Sequence, residues 1–319
     1  MGFFLGIDGG GSKTECVLAD ESGAVLARAT GPGGNLREVS AELLGRHLHE
    51  VFETLRRSAA LERFQPVIVC AGFAGASDAK ARMMAEKILK ELLQPRFLYV
   101  VGDMEVALEA AVGAGPGIVL ICGTGSIAFG RNAKGKTARA GGEGPKIAAD
   151  GKMTGDLGSG RYIWWRVVQA LLDEEGRRKD SPLLLKPIED ALRQGFGEEP
   201  KELIKQRGIG LGREISKWVS LAAQGGDPLA QEILEESAAA LTELVMKVLR
   251  KLKMSDETAL VSLAGGVLLG SEALSMRVRG RLRAAAPRAR VEPLRVSPAE
   301  GAARLAQRLW LQEQTPGSA

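Results

Sequence analysis

The chain has 319 residues, 45% of them hydrophobic and 26% charged, with a formal net charge of +4. That length suits two domains better than a single core, and the balance is that of a globular chain rather than a disordered or fibrous one. The mild charge and only two tyrosines argue against a nucleic-acid surface, and no apolar run approaches the ~20 residues of a membrane span. A cytoplasmic protein is therefore expected. Cys16, Cys70 and Cys122 lie far apart in apolar segments and read as buried thiols of a reduced compartment.

The chain opens with an apolar run (Phe3, Phe4, Leu5) that leads into Gly6-Ile7-Asp8-Gly9-Gly10-Gly11-Ser12-Lys13. Three consecutive glycines let the backbone turn sharply and let a ligand approach its N–H groups. Successive N–H groups in such a turn form an anion-binding concavity. Ser12 and Lys13 add a hydroxyl and an ammonium at its rim. Asp8 would repel a phosphate unless a divalent cation lay between them, so the octet reads as a nucleotide-phosphate site with Mg2+. A glycine turn without a ligand is the alternative. The order Gly-Ser-Lys does not fit a Walker A loop, and the glycine spacing does not fit a dinucleotide fingerprint. Residues 15–29 read as a hairpin turning at Asp20-Glu21-Ser22-Gly23, so the glycine loop joins two strands.

The loop 30–35 ends in Asn35, which reads either as the N-cap of the next helix or as a hydrogen-bonding group for a substrate. Residues 38–60 carry a helical apolar period. His47 and His49 on it point to different faces and read as surface residues. Residues 66–71 form a continuous apolar run, as in a central parallel strand, and a helix is expected over 77–93. A strand over 97–101 then runs into Gly102-Asp103, just ahead of another helix. In open α/β sheets, ligands bind outside the carboxyl ends of the strands. Asp103 therefore reads either as an N-cap or as a general base for a substrate hydroxyl, with Glu105 as the second candidate.

The pattern then repeats. Residues 117–122 form an apolar strand leading into Gly123-Thr124-Gly125-Ser126, followed by a strand, a turn at Asn132-Ala133-Lys134-Gly135 and a third strand ending at Gly141-Gly142. The first hairpin ends the same way, at Gly33-Gly34. Such a duplication predicts two phosphate hairpins, from two related domains, facing one another across a cleft. From residue 156 the chain reads as mostly helical. Trp164, Trp165, Val168, Leu171 and Leu172 suggest one apolar helix face. A polar connection is expected over 201–212, then helices over 213–224 and 227–252, the latter begun by Asp227-Pro228. A strand over 259–263, a helix over 271–285, a strand over 289–295, a helix over 298–313 and a frayed tail over 315–319 complete the expectation. The arginines between 277 and 290 read as a solvated face.

These motifs resemble the superfamily of actin, hexokinase and the heat-shock chaperone ATPases. Within it, the chain is similar to N-acetylglucosamine kinases and to the activator ATPases of benzoyl-CoA reductase and 2-hydroxyacyl-CoA dehydratase. The resemblance spans essentially the whole chain. Asp8-Gly9-Gly10-Gly11-Ser12 resembles the first phosphate motif and Gly123-Thr124-Gly125-Ser126 the second. Leu263-Ala264-Gly265-Gly266-Val267 resembles the adenosine motif, and residues 155–160 resemble a Gly-Asp-Glu-Gly-Ser stretch of the sugar kinases.

The resemblance implies an α/β fold of two related ribonuclease H-like domains, 1–114 and 115–319, with a nucleotide cleft between them. The last helix, 298–313, could pack back on the first domain. It implies ATP and Mg2+ as cofactors. Asp103 is then the catalytic base and Asp8 the Mg2+-holding carboxylate. Gly9, Gly10, Gly11, Ser12, Lys13, Gly123, Thr124, Gly125, Gly265 and Gly266 hold the nucleotide. Asn35, Ser126, Gly141, Gly142 and Asp156 bind a small sugar, most naturally N-acetylglucosamine or a related amino sugar. A homodimer is left open.

The chain departs from the sugar-kinase pattern at three places. Glu143 stands where a tryptophan is usual, Leu157 replaces an acid, and residues 145–154 lengthen the connection between two motifs. An activator-type ATPase and a non-catalytic nucleotide- or sugar-binding regulator are therefore kept as alternatives. Cys122 is expected inside the second glycine loop, with no second cysteine in a loop that suits a shared iron–sulfur cluster.

Overall fold

A computed structural model describes residues 2–172, 181–196, 212–255 and 257–313. Most of the expected 201–212 connection and the 315–319 tail lie outside the described residues. Among the described residues, ten strands form two five-stranded sheets with the same wiring. In the first, β1 (Phe4–Gly9), β2 (Thr14–Ala19), β3 (Val25–Gly31), β4 (Ile68–Phe73) and β5 (Phe97–Gly102) take the order β3-β2-β1-β4-β5. In the second, β6 (Gly117–Cys122), β7 (Ser126–Arg131), β8 (Thr137–Gly141), β9 (Leu260–Ala264) and β10 (Arg290–Pro293) take the order β8-β7-β6-β9-β10. Each begins with an antiparallel meander and adds two strands parallel to its first. The duplication read from the two glycine hairpins thus extends over both whole sheets.

The chain divides into two compact units: residues up to Gly115 together with those from Leu294 on, and Pro116–Pro293. In the first unit, alternate residues of β1 serve two cores. Leu5 and Ile7 join Cys16, Leu18 and the apolar stripe of α1 (Ala41–Ser58), namely Leu44, Leu48, Val51, Phe52 and Leu55, with α2 (Ala79–Leu93) beside it. Phe4 faces the other way, onto Ile68, Cys70, Val106 of α3 (Asp103–Val112), and Ala302 and Ala306 of α10 (Pro298–Glu313). This double burial is why the parallel strands are continuously apolar. Glycine sets the spacing on the second face. A Cβ on Gly301 would lie 2.6 Å from the Ala110 nitrogen, so α10 meets α3 at backbone distance.

Helix α1 begins at Ala41, not at 38. Its N-cap is Ser40, whose hydroxyl accepts from Leu43 N at 3.2 Å. Asn35 is therefore not a helix cap. Its carbonyl accepts from Glu38 N and Val39 N in a separate turn. His47 is half-buried rather than a surface residue, and His49 is exposed.

In the second unit, α7 (Pro228–Leu252) lies along the core, capped by Asp227 with Pro228 in the first turn. It packs with β6, β7 and β8 and with α4 (Gly160–Leu172), α6 (Gly212–Gln224) and α9 (Glu272–Ala285). Helices α5 (Pro182–Phe196) and α8 (Gly266–Gly270) belong to the same unit. The buried face of α4 is Ile163, Val167, Ala170 and Leu171. Trp164, Val168 and Leu172 pack only at its margin, and Trp165 lies beside Tyr162 at 5.9 Å between ring centroids. The face is rotated from the expected one because Arg166 turns inward, 8% exposed, to pair with Glu232 and Glu236 of α7. Among the described residues, no helix is long and apolar enough to cross a membrane.

Candidate active site

At the carboxyl end of the first sheet, β1, β4 and β5 run parallel and end side by side, with Asp8 opposite Gly72 and Phe73 opposite Gly102. The loops leaving these strands are stitched together. Ala74 N donates to Gly9 O at 2.8 Å, Gly34 N to Gly10 O at 2.9 Å, and Leu36 N to Ala74 O at 2.9 Å. Asp8, the glycine loop, Asn35 and the segment after β4 therefore share one end of one sheet.

Within the glycine loop, Gly10 N donates to Lys13 O at 2.9 Å, which leaves Gly11 and Ser12 at the exposed tip. Lys13 Nζ reaches Glu15 at 2.9 Å. A Cβ on Gly9 would lie 2.5 Å from Phe73 Cε1, whereas one on Gly10 would meet nothing nearer than 3.6 Å. Gly9 is thus required by packing and Gly10 leaves room for a ligand.

Asp8 keeps some exposed surface, yet its carboxyl is pushed up to about 7. Burial is the main cause, followed by the negative charges of Asp103 and Glu15; Lys13 opposes them. Asp103 is raised too, again chiefly by burial, with the Met104 N–H and the Arg37 charge pulling it back. Burial also lifts Glu15, but hydrogen bonds from Lys13 and Ser297 and the charges of Lys13 and Arg28 outweigh it and hold that carboxyl low. Crowded carboxyls with raised pKa values fit a divalent cation, which would relieve the repulsion. Among the described residues there is no cluster of three or more His, Cys, Asp or Glu side chains with metal-holding geometry.

Asp103 is the first residue of α3 rather than its N-cap, a place taken by Gly102. Its Oδ1 accepts from Met104 N at 2.9 Å. Glu105, the second candidate base, is committed elsewhere: its Oε1 accepts from Gly102 N at 3.0 Å. Asn35 Oδ1 accepts from Arg37 N at 3.2 Å. Sequence reasoning missed Arg37 and Glu15, whose charges act on these carboxyls. Their only signal was proximity to Asn35 and Lys13.

The second sheet repeats the arrangement with different partners. Gly123 N donates to Gly125 O at 3.0 Å, and the carbonyls of Gly123 and Thr124 accept from Gly160 N and Arg161 N at the start of α4. Cys122 is not in the loop. It is the last residue of β6, buried, with its Sγ against Gly158 O at 3.4 Å and burial pushing the thiol up to about 12. Ser126 is 3% exposed and its hydroxyl donates to Leu157 O at 2.8 Å, so it holds the turn that carries Asp156. Asp156 is 6% exposed, has φ +52°, and lies 3.7 Å from Arg161.

Gly141 and Gly142 both have positive φ, +80° and +73°, and a Cβ on either would strike Ser126 O or Ile127 within 2.7 Å. Gly265, at φ +94°, lies against the Cys122 backbone, where a Cβ would come within 2.8 Å of the nitrogen. Gly123 and Gly266 differ, because a Cβ on either meets nothing within 4 Å. The fold itself supplies no steric reason for glycine at these two positions.

Residues 146–154 form a small hairpin. Thr154 N donates to Lys146 O, Ala148 N to Lys152 O, and Ile147 bridges Met153. Met153 anchors it at 7% exposed while Ile147 stands 57% exposed.

Comparison with known proteins gives a consistent picture. The chain is 30% identical over 312 residues to an N-acetylmuramic acid/N-acetylglucosamine kinase of Clostridium acetobutylicum, covering 96% of this chain and 99% of that one. It is 30% identical over 322 residues to an N-acetyl-D-glucosamine kinase of Dictyostelium discoideum, covering 95% and 97%. A Chromobacterium violaceum structure assigned as an N-acetylglucosamine kinase superposes with a TM-score of 0.75 at 23% identity, covering 96% and 99%. The two matching sheets are those of the actin/hexokinase-like ATPase fold. A family profile matches residues 5–306, and the chain belongs to the BadF/BadG/BcrA/BcrD ATPase family.

Proposed function

We propose that this chain is an ATP-dependent kinase that phosphorylates a hydroxyl of a small amino sugar, N-acetylglucosamine or a close relative. The observation that carries the reading is Asp8 and Asp103 at the carboxyl ends of the parallel strands of one sheet, each with a raised pKa. Full-length relatives at 30% identity with kinase names support it.

In this reading Asp103 accepts the acceptor hydroxyl's proton. A carboxyl raised above its ordinary 3.8 is a better base than a fully solvated one. Asp8 holds Mg2+, through water as suits that ion. Gly9, Gly10, Gly11, Ser12 and Lys13, with Gly123, Thr124 and Gly125, hold phosphates, and Gly265 and Gly266 lie against the adenosine. Asn35, Gly141, Gly142 and Asp156 orient the acceptor, with Ser126 fixing the Asp156 turn. Mg-ATP, when bound, supplies the phosphoryl group and neutralises its charge; the protein's share is positioning and electrostatics. The activator-type alternative needs an accessible thiolate. Cys16, Cys70 and Cys122 are all buried, with thiols pushed up chiefly by burial, which weighs against it.

The test is ADP release from Mg-ATP with N-acetylglucosamine, glucosamine, N-acetylmuramic acid, glucose or no acceptor. Release that depends on an amino sugar is expected. Release indifferent to every acceptor would move the assignment to an activator-type ATPase. Bound ATP with no release would move it to a regulator.

A further inference from the structure

The two glycine loops differ in the source of their cation. In the first, Lys13 stands immediately ahead of β2 and pairs with Glu15 at 2.9 Å. In the second, the residue ahead of β7 is Gly125, and a Cβ there would lie 3.0 Å from Asp156 Oδ2. That position has little room for a side chain, so the second loop carries no cation of its own. Arg161 reaches the loop from α4 instead. Its backbone N–H donates to Thr124 O at 3.3 Å, and its Nη1 lies 3.7 Å from Asp156 Oδ2. The Asp156 side chain is 3% exposed and that of Arg161 38%, so the guanidinium lies on the solvent side of the pair. Each loop thus has a cation beside a carboxylate, Lys13 with Glu15 and Arg161 with Asp156.

Arg161 is the second residue of α4, where a cation opposes the helix dipole. The first turn of α4 holds no acidic residue to offset it. A residue that breaks a local rule in this way is expected at a functional position. The backbone of this helix end is spent on the loop and its cap: Gly160 N and Arg161 N donate to Gly123 O and Thr124 O, and Tyr162 N donates to Ser159 Oγ at 3.3 Å. An anion at the second loop is therefore met by a side chain rather than by the helix N-terminus. We propose that Arg161 is the phosphate-binding cation of the second glycine loop, its guanidinium taking oxygens of the nucleotide's polyphosphate through a planar fork of donors. This rests on the assignment of that loop to phosphates in the kinase reading and adds the residue that supplies its charge.

The test titrates wild type, Arg161→Gln and Arg161→Lys with Mg-ATP and Mg-ADP by calorimetry, and with adenosine by its displacement of ATP, all without an acceptor. Arg161→Gln is expected to raise the Kd of both nucleotides on the order of 10- to 100-fold, the range for a hydrogen bond to a charged group. Arg161→Lys should lose less, because it keeps the charge without the fork, and it stands in if the glutamine variant does not fold. The adenosine Kd should stay within about twofold in both variants. Nucleotide constants unchanged by Arg161→Gln would overturn the proposal, as would a wild type that does not bind ATP. An equal loss for adenosine would overturn it too, because Arg161 would then only hold the Asp156 turn in shape. ATP binding with no sugar-dependent turnover would sink the kinase reading alone, and the Kd ratios would still decide the role of Arg161.

Discussion

Alanine substitutions at Gly123, Gly265 and Gly266 separate glycine required by the fold from glycine required by a ligand. At Gly265 a Cβ would collide with the Cys122 backbone, within 2.8 Å of its nitrogen, at φ +94°. Left-handed backbone costs roughly 1–2 kcal/mol for a residue with a Cβ, and overpacking against rigid atoms adds about 1–3 kcal/mol. Gly265→Ala should therefore lose about 2–5 kcal/mol, or on the order of 10 °C in Tm for a domain of this size. At Gly123 and Gly266 the added methyl meets nothing within 4 Å, and neither position has a positive φ. Removing backbone freedom from the unfolded chain should stabilise each by about 0.4–1 kcal/mol, a rise of about 1–4 °C. If these glycines let a nucleotide lie against backbone, the same methyls should weaken ATP binding at least about tenfold, since a clash worth 1.4 kcal/mol is a factor of ten. The assays are thermal unfolding and calorimetric titration with ATP on the same preparations. Stable Gly123→Ala and Gly266→Ala variants with unchanged ATP affinity would refute the assignment of both loops.

Four further outcomes are expected. Asp103→Asn should keep ATP and acceptor affinity but lower kcat by roughly 10²–10⁴-fold; normal turnover would remove Asp103 as the base. Asp8 holds its proton up to about pH 7 in the folded chain against an ordinary 3.8, so its stabilising contribution is full below about pH 4 and is lost as pH rises through 7. The Tm of wild type relative to Asp8→Asn, measured without metal, should fall steadily from pH 4 to 8, and a constant gap would contradict the raised pKa. Glu109 is 4% exposed and bound by Arg308 through both oxygens, whereas the Arg308 side chain is 32% exposed. Denaturant unfolding should therefore show Arg308→Ala costing about 3 kcal/mol, because it strands a buried charge, and Glu109→Leu costing clearly less. Thr14 is 1% exposed and, among the described residues, its hydroxyl has no hydrogen-bond partner. Thr14→Val should be neutral or stabilising by up to about 1 kcal/mol in the same assay, because no hydrogen bond is lost and an unmet polar group is removed.

The sequence by itself determined the strand order along the chain, the duplication and most of the helices, though not α5 or α8. Apolar strands ending in glycine turns and helices with a 3.6-residue period are local signals, and every strand and helix named from them within the described residues is present. It also singled out Asp8, Asp103 and both glycine loops as candidates, because each sits beside a turn the backbone needs regardless of tertiary context. Tertiary structure decided what those residues touch. Asn35 looked like a cap until Ser40 proved to occupy that position, nearer the first buried turn of α1. The apolar face of α4 looked tryptophan-centred until Arg166 found Glu232 and Glu236 across 66 residues or more of sequence. Cys122 read both as the end of an apolar strand and as part of the glycine loop, and the β6–β7 pairing makes it the last residue of the strand. Likewise, the glycines read alike in sequence, and only the neighbours of each missing Cβ divide those that serve packing from those that leave room. Pairing across the sheet, burial and charge proximity depend on atoms distant in the chain, and no local pattern encodes them.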